Sequence, residues 1–203
     1  MKKYALLVLV IFVAISFGSE GEWEIIKEGS NPFSPFTWPE DVFFLNEDRG
    51  WVTGNKGVLL GTENGGETWN TLRSGNVNEP IWESIEFFDQ DIGYACSAAG
   101  LIYKTTDGGT NWTMIGDTAQ YKSDLKDLDI VTEELIYFCG SDSTLLKTTD
   151  GGNTFERIDH GFQGFDLNLG VTFTNENIGV VASGENGCLT WYTHDGGETW
   201  NFK

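Results

Sequence analysis

Short apolar runs, separated by glycine, asparagine and aspartate, extend over most of the chain. In one stretch these runs predict strands at about 82–88, 92–97, 100–105 and 111–115. Beyond the N-terminal segment, no stretch shows the apolar period of about 3.6 residues that marks an amphipathic helix. The pattern therefore predicts an all-β protein built from short antiparallel strands.

The same pattern recurs at a nearly fixed spacing. An apolar run with a polar turn occurs at 44–52, 87–95, 130–138 and 173–181, and only the third copy lacks the turn glycine. Each copy is followed by a glycine pair and then an aromatic residue, and these boxes lie 43, 43 and 45 residues apart. A four-stranded unit of roughly 40 to 45 residues has the size of a β-propeller blade. The predicted blades cover about 40–75, 80–118, 123–160 and 165–203.

The box has the working form Thr-x-Asp-Gly-Gly-x-Thr-Trp and is predicted to form the turn between the third and fourth strands. Its Asp can accept hydrogen bonds from backbone N–H groups two residues on, and its glycines supply positive φ angles. The aromatic residue can cover the apolar side of the turn. We predict a structural role, without metal or cofactor, for Asn64, Gly65, Gly66, Trp69, Asp107, Gly108, Gly109, Trp112, Asp150, Gly151, Gly152, Phe155, Asp195, Gly196, Gly197 and Trp200.

The N-terminal segment has the pattern of a secretory signal peptide. Lys2 and Lys3 precede an apolar run over 5–15, and small residues follow around Gly18. The apolar run is too short for a spanning helix. We therefore expect a signal peptide at 1–19 and an exported protein, in the periplasm, on the cell surface or outside the cell, without membrane insertion after cleavage. The alternative is an uncleaved membrane anchor.

The chain is strongly acidic, with 12 Lys and Arg against 31 Asp and Glu and a formal net charge of −19. Cleavage of the signal peptide removes two of the lysines and leaves 10 basic residues against 31 acidic ones. Nucleic acid and anionic lipid are therefore poor partners. The acids are scattered through turns, which is typical of solvated residues that keep an exported protein soluble.

Two of the three cysteines, Cys96 and Cys139, lie 43 residues apart at the same repeat position. They fall on matching strands of neighbouring predicted blades, which are too far apart for the Cα separation of a disulfide. We expect both to be buried thiols.

The boxes resemble the Asp-box repeat, also called BNR. Together with the strands Gly50-Trp51-Val52 and Gly93-Tyr94-Ala95 and the string at 104–109, they resemble the photosystem II stability and assembly factor-like propellers. The similarity covers about 40–203, and it implies an exported, non-enzymatic propeller that acts as a protein-binding or assembly scaffold.

Propellers of this family usually have about seven blades, whereas this sequence supplies four boxes. Residues 22–27 resemble the fourth strand of one further blade, whose first three strands are not in the sequence. We therefore expect an open or incomplete ring with an orphan strand at 22–27. A closed ring of four blades is the alternative.

Asp-box propellers also include sialidases and xyloglucan-degrading glycosidases, so a carbohydrate-binding or sialidase-like protein is the alternative function. A sialidase needs three arginines that converge on the substrate carboxylate. The sequence has only Arg49, Arg73 and Arg157, and the turns that hold Arg49 and Arg73 are predicted to point to opposite faces. Xyloglucan cleavage uses a cleft between two large propellers, which this length cannot build. We therefore expect no enzymatic activity.

Propellers usually bind partners with the loops that enter each innermost strand. These loops are predicted near 28–40, 73–81, 116–124 and 159–166, and they carry several aromatic residues. Aromatic side chains are enriched at binding hot spots, so the candidate contact residues are Trp38, Trp82, Tyr121 and Phe165. The expected ligand is a protein; a glycan stacked on the aromatic rings is the alternative, and core packing of these residues is another.

Overall fold

The computed structural model describes residues 15–17, 23–25, 38–117, 123–158, 168–184 and 189–202. In these residues the regular structure is β-strand, apart from one 3₁₀ turn at Asn55–Gly57. No helix in these ranges is long and apolar enough to cross a membrane. The strands form one two-stranded sheet and four antiparallel four-stranded sheets, so the predicted all-β fold with four four-stranded blades is confirmed.

Strands β1 (Ile15–Phe17) and β2 (Trp23–Ile25) pair with each other. The first blade contains β3 (Pro39–Phe44), β4 (Gly50–Gly54), β5 (Val58–Thr62) and β6 (Asn70–Arg73). The second contains β7 (Trp82–Phe87), β8 (Gly93–Ser97), β9 (Leu101–Thr105) and β10 (Thr113–Asp117). The third contains β11 (Leu125–Ile130), β12 (Ile136–Gly140), β13 (Thr144–Thr148) and β14 (Glu156–Arg157). The fourth contains β15 (Asn168–Phe173), β16 (Gly179–Ser183), β17 (Leu189–Thr193) and β18 (Asn201–Phe202).

The predicted orphan strand at 22–27 coincides with β2, which is paired with β1. Strand β1 lies within the predicted signal peptide, and the rest of that segment lies outside the described residues. The signal peptide therefore stays a prediction.

The four blades follow one another in an arc. The innermost strands β3, β7, β11 and β15 contact one another in succession, and β3 and β15 make no comparable contact. Within the described residues the arc is therefore not a closed ring, as expected from the sequence. Because the strands alternate in direction, the boxes of all four blades lie on the same face of the arc, here called the box face. The segments that enter the innermost strands lie on the opposite face of the arc, here called the loop face.

The hydrophobic core lies between successive blades, and each such contact is here called an interface. At the first interface, Trp51 and Leu59 of the first blade pack on Trp82 and Phe87 of the second, with the Trp51 and Phe87 rings stacked at 3.6 Å. The second and third interfaces bury Cys96 and Cys139 respectively. Both thiols are buried and are not joined to each other, as predicted.

An aromatic residue on the second strand of each of the first three blades donates a hydrogen bond to the box of the next blade. These inter-blade aromatic bonds run from Trp51 Nε1 to Gly108 O (3.1 Å), Tyr94 Oη to Gly151 O (3.0 Å) and Tyr137 Oη to Gly196 O (2.9 Å). The fourth blade has Val180 at this strand position, which carries no donor.

Carboxylates on the innermost strands form a second set of bonds between blades. These inter-blade carboxylate bonds accept the backbone N–H of the next innermost strand, in the pairs Asp41–Ile85 (2.9 Å), Glu86–Ile130 (2.7 Å), Asp127–Val171 (2.9 Å) and Asp129–Phe173 (3.1 Å). Burial raises the pKa of Glu86 to about 8 and that of Asp127 to about 6, although the backbone N–H bonds oppose this rise.

The Asp-box turns differ in one respect from the sequence-based expectation. Asp150 Oδ1 accepts the backbone N–H of Thr154, four residues on, at 2.9 Å; the predicted acceptance two residues on is wrong. The hydroxyl and N–H of Thr154 lower the pKa of Asp150 to about 2. Gly151 and Gly152 have φ angles of 66° and 93°, which L side chains rarely adopt.

Candidate functional site

The loop face over the first and second blades is built on the 3₁₀ turn at Asn55–Gly57. Lys56 and Gly57 have φ angles of 60° and 68°, which turn the chain tightly into β5. The Trp38 backbone N–H donates to Asn55 Oδ1 at 3.2 Å, and the Asn55 N–H donates back to Trp38 O at 3.1 Å. Trp38 is thus held at the backbone while its side chain is 58% exposed.

The segment 74–81 is hydrogen-bonded to the other side of the same turn. Asn76 N donates to Lys56 O at 2.9 Å, and Glu79 N donates to Asn76 O at 3.0 Å. Gly75 has a φ angle of 67°, and a Cβ atom there would clash with the carbonyl oxygen of Lys56. This ordered segment presents Val77, which is 78% exposed, and the exposed side chain of Ile81. Trp38, Val77 and Ile81 are thus exposed apolar residues on segments that are hydrogen-bonded to the same turn, and together they are here called the apolar surface.

Glu79 of this segment forms an ion pair that packs on aromatic rings of the second blade. Arg73 Nη2 and Glu79 Oε2 are 2.9 Å apart. The Arg73 guanidinium lies over the Trp82 ring at 5.0 Å, and the Trp82 and Tyr103 rings stack at 4.9 Å. Burial, followed by the nearby Glu79 charge, raises the pKa of Tyr103.

The four predicted contact residues have different outcomes. Trp38 is exposed on the loop face. Trp82 is fully buried at the first interface, so its prediction as an exposed contact on the loop face is corrected: its ring packs among the core of two blades, as in the core-packing alternative. Tyr121 and Phe165 lie outside the described residues.

Sequence reasoning missed Arg73, Glu79 and Thr53 as members of this region. Arg73 was considered only for a sialidase site. One signal could have revealed the region. Thr53 stands at the strand position where the second and third blades have Cys96 and Cys139, so the first blade departs from the other two at this position.

The arginines do not converge on one site. Arg49 faces Glu63 on the box face at 3.6 Å, whereas Arg73 pairs with Glu79 on the loop face. Arg157 Nη2 donates to the carbonyl oxygen of Asp142 at 2.8 Å. The carboxylate-binding arrangement of a sialidase is therefore not formed by these side chains. Within the described ranges, no group of three or more His, Cys, Asp and Glu side chains is placed to hold a metal ion.

Comparison with known proteins gives one family and several similar folds. A family profile with the description Photosynthesis system II assembly factor YCF48 matches residues 19–121. No curated protein matches the chain. YCF48 from Cyanidioschyzon merolae is similar, with a TM-score of 0.63 and 17% identity over 82% of this chain and 56% of that one. A structure described as YCF48 bound to D1 peptide has a TM-score of 0.54 and 15% identity over 81% of each chain.

A GH74 xyloglucanase from Xanthomonas campestris is also similar, with a TM-score of 0.60 and 12% identity over 76% of this chain and 28% of that one. At these identities the structural likeness establishes the propeller fold alone, because one fold carries unrelated functions. The family profile is the more specific finding, since it covers just over half of the 203 residues. The predicted resemblance is confirmed, and the chain belongs to the family of the photosynthesis system II assembly factor YCF48.

Proposed function

We propose that this protein is an exported, non-enzymatic scaffold that binds another protein through the loop face of its first two blades. The observation that carries the proposal is the apolar surface of Trp38, Val77 and Ile81, which stand exposed on a frame fixed by backbone hydrogen bonds. Aromatic and aliphatic side chains held in this way lose little conformational freedom on binding, which favours affinity. A family member described as bound to a D1 peptide supports a protein as the class of ligand.

Charge narrows the kind of partner. The excess of 31 acidic over 12 basic residues gives the surface a negative field that repels acidic partners and attracts basic ones. A partner segment that is apolar at its centre and neutral or basic at its edges would fit this face. Export follows from the predicted signal peptide and is tested by N-terminal sequencing of protein recovered from the envelope or medium, where a start near residue 20 is the expected result.

The binding face is tested by site-specific photo-crosslinking in the native envelope fraction. A benzoylphenylalanine in place of Trp38 should trap one partner, whereas the same group in place of Phe88, an exposed apolar residue on the box face, should trap none. The partner identified in this way is then titrated against Trp38→Ala and Phe88→Ala. We expect the Trp38 variant to weaken binding by roughly 10-fold or more, as for a hot-spot aromatic, and the Phe88 variant to match the parent. Equal trapping at both positions would refute the assignment.

Glycan binding is the second candidate, because Asp-box propellers of the GH74 type share this fold and Trp38 offers an exposed ring on which a sugar can stack. Tryptophan fluorescence titrated with xyloglucan oligosaccharides tests it. A saturable change that disappears in Trp38→Ala, together with no crosslinked protein, would reverse the order of the two candidates.

A further inference from the structure

The first interface contains a row of polar side chains that faces a buried tryptophan. Thr53 on β4 is the cross-strand neighbour of Leu59 on β5, and Leu59 is the neighbour of Arg73 on β6. Cross-strand neighbours project from the same side of a sheet. Leu59 packs on Trp82 of the second blade, so Thr53, Arg73 and Trp82 meet at one interface near the loop face.

Each of these three side chains has a buried polar atom without a hydrogen-bond partner in the part of the chain that the structure describes. The atoms are Thr53 Oγ1, Arg73 Nη1 and Trp82 Nε1. A buried donor without an acceptor costs roughly 1–3 kcal/mol, so such groups call for an explanation. By contrast, the indole N–H groups of Trp112 and Trp200 donate to glycine carbonyl oxygens at 3.0 and 3.1 Å.

At the second interface, apolar residues stand at two of these three positions. At the second interface Cys96 occupies the strand position of Thr53, and Leu125 occupies that of Trp82. Both are buried in the hydrophobic cluster of that interface. The first interface thus carries polar donors at positions where the neighbouring one is closed by apolar packing, although both have the same backbone architecture.

The chemistry of the row selects the ligand. Arginine and tryptophan N–H groups only donate, so the complement is a hydrogen-bond acceptor. Glu79 already neutralises the Arg73 charge at 2.9 Å, and the chain as a whole is acidic. A second carboxylate would find no uncompensated positive charge here, whereas a neutral carbonyl oxygen accepts from these donors without that penalty.

We propose that the first interface binds a main-chain carbonyl oxygen of an extended peptide segment. This inference rests on the proposed protein-binding function and names the part of the partner that enters beneath the apolar surface. The Arg73 and Glu79 side chains, 31% and 26% exposed, connect these buried atoms with the solvent on the loop face. Glycine at position 57 avoids a steric conflict with the Arg73 guanidinium, because a Cβ atom there would lie 3.0 Å from Arg73 Nη1.

The test follows the indole N–H signals of the ¹⁵N-labelled full-length protein by NMR, with the Trp82 signal assigned through Trp82→Phe. Titration with N-acetylglycine N′-methylamide, a neutral amide, should shift the Trp82 signal saturably. The signals of Trp51, Trp112 and Trp200 should stay in place, since their indole groups are already bonded. Sodium acetate should act more weakly than the amide.

Two variants of Thr53 make the test specific. Thr53→Cys, which copies the other two interfaces, removes the hydroxyl donor and should weaken amide binding by about 2- to 10-fold, as for one neutral hydrogen bond. Thr53→Ser keeps the hydroxyl and should bind like the parent, and unmoved Trp51 and Trp112 signals show that the interface is intact in both.

Three results would overturn the inference: no saturable shift of Trp82, a stronger response to acetate than to the amide, or an undiminished response in Thr53→Cys. Its failure is separable from that of the proposed function. If a partner is crosslinked at position 38 but the Trp82 signal does not respond, the proposed binding face is supported and the proposed carbonyl site is refuted. If the Trp82 signal responds but no protein is crosslinked at position 38, the proposed binding face is refuted.

Discussion

We expect the stability of this protein to fall as the pH rises from 5.5 to 7.5, and we expect Glu86→Gln to abolish most of that fall. Glu86 lies on β7, and its carboxyl accepts the backbone N–H of Ile130 from the next blade at 2.7 Å. Burial raises its pKa from 4.5 to about 8, and the charges of Asp129, Asp127 and Asp41 act in the same direction. The native carboxyl therefore keeps a proton that the unfolded chain releases.

This difference in proton binding sets the sign and size of the effect. Between pH 4.5 and 8 the native state binds about one more proton than the unfolded state at this residue, so stability falls by roughly 1.4 kcal/mol per pH unit. From pH 5.5 to 7.5 the loss due to Glu86 is about 2 to 3 kcal/mol. A Gln side chain keeps a neutral acceptor for the Ile130 N–H but releases no proton, so the variant lacks this slope.

The assay is urea unfolding of the parent protein and Glu86→Gln at both pH values. The free-energy difference between the two proteins should shift by about 2 to 3 kcal/mol in favour of the variant at pH 7.5. Asp150→Asn is the matched control, because a carboxyl with a pKa of about 2 is ionised in both states throughout this range. A difference between Glu86→Gln and the parent that stays constant across the two pH values would refute the reasoning.

Three further predictions concern the turns and the contacts between blades. Tyr137→Phe removes an inter-blade aromatic bond and should lower the free energy of urea unfolding by about 1 kcal/mol. Tyr94→Phe should cost less, because a lysine Nζ also donates to the same box carbonyl oxygen; equal losses would contradict this. Gly75→Ala forces a side chain onto a positive φ angle against a carbonyl oxygen and should cost about 2 kcal/mol, whereas Gly170→Ala, with its nearest contact at 3.5 Å, should be nearly neutral in the same assay. Asp150→Asn should remove part of the destabilisation between pH 4 and 2, because the lowered pKa of Asp150 stabilises the native state above this range and the gain is lost as the pH falls through about 2; thermal unfolding followed by circular dichroism measures it, and parallel curves would contradict it.

The blades could be predicted from the sequence because period and turn chemistry act locally. The glycine pair of each box requires positive φ angles, and it recurs with the strands around it. The inter-blade carboxylate bonds could not be predicted in this way. Asp41 and Glu86 look like any acid in a strand until the neighbouring backbone N–H groups are in place. The partner of such a carboxylate is set by blade packing, which the repeat spacing does not encode.

Trp82 shows the corresponding limit for the candidate site. An aromatic residue where a loop enters an innermost strand can cover the blade from outside or fill the space between blades. The surrounding sequence does not separate these cases. Burial of Trp82 follows from Leu59 and Tyr103, which lie on other strands and close around it only in the folded chain. Trp38 is held by a turn 17 residues further along the chain, and its side chain is 58% exposed.

The contacts between blades have a direction, which bears on how such an array can be lengthened. Each of the first three blades supplies both the carboxylate and the aromatic donor that hold the blade after it. The fourth has Thr172 and Val180 at the positions of Asp129 and Tyr137. A copy of the third blade inserted directly after the original could form both the carboxylate bonds and the aromatic bond with the blade before it and with the blade after it. A blade joined to the fourth would receive neither the carboxylate bond nor the aromatic bond from these positions, unless Thr172→Asp and Val180→Tyr were introduced with it. Tandem duplication in this repeat is thus favoured inside the array and disfavoured beyond its fourth blade.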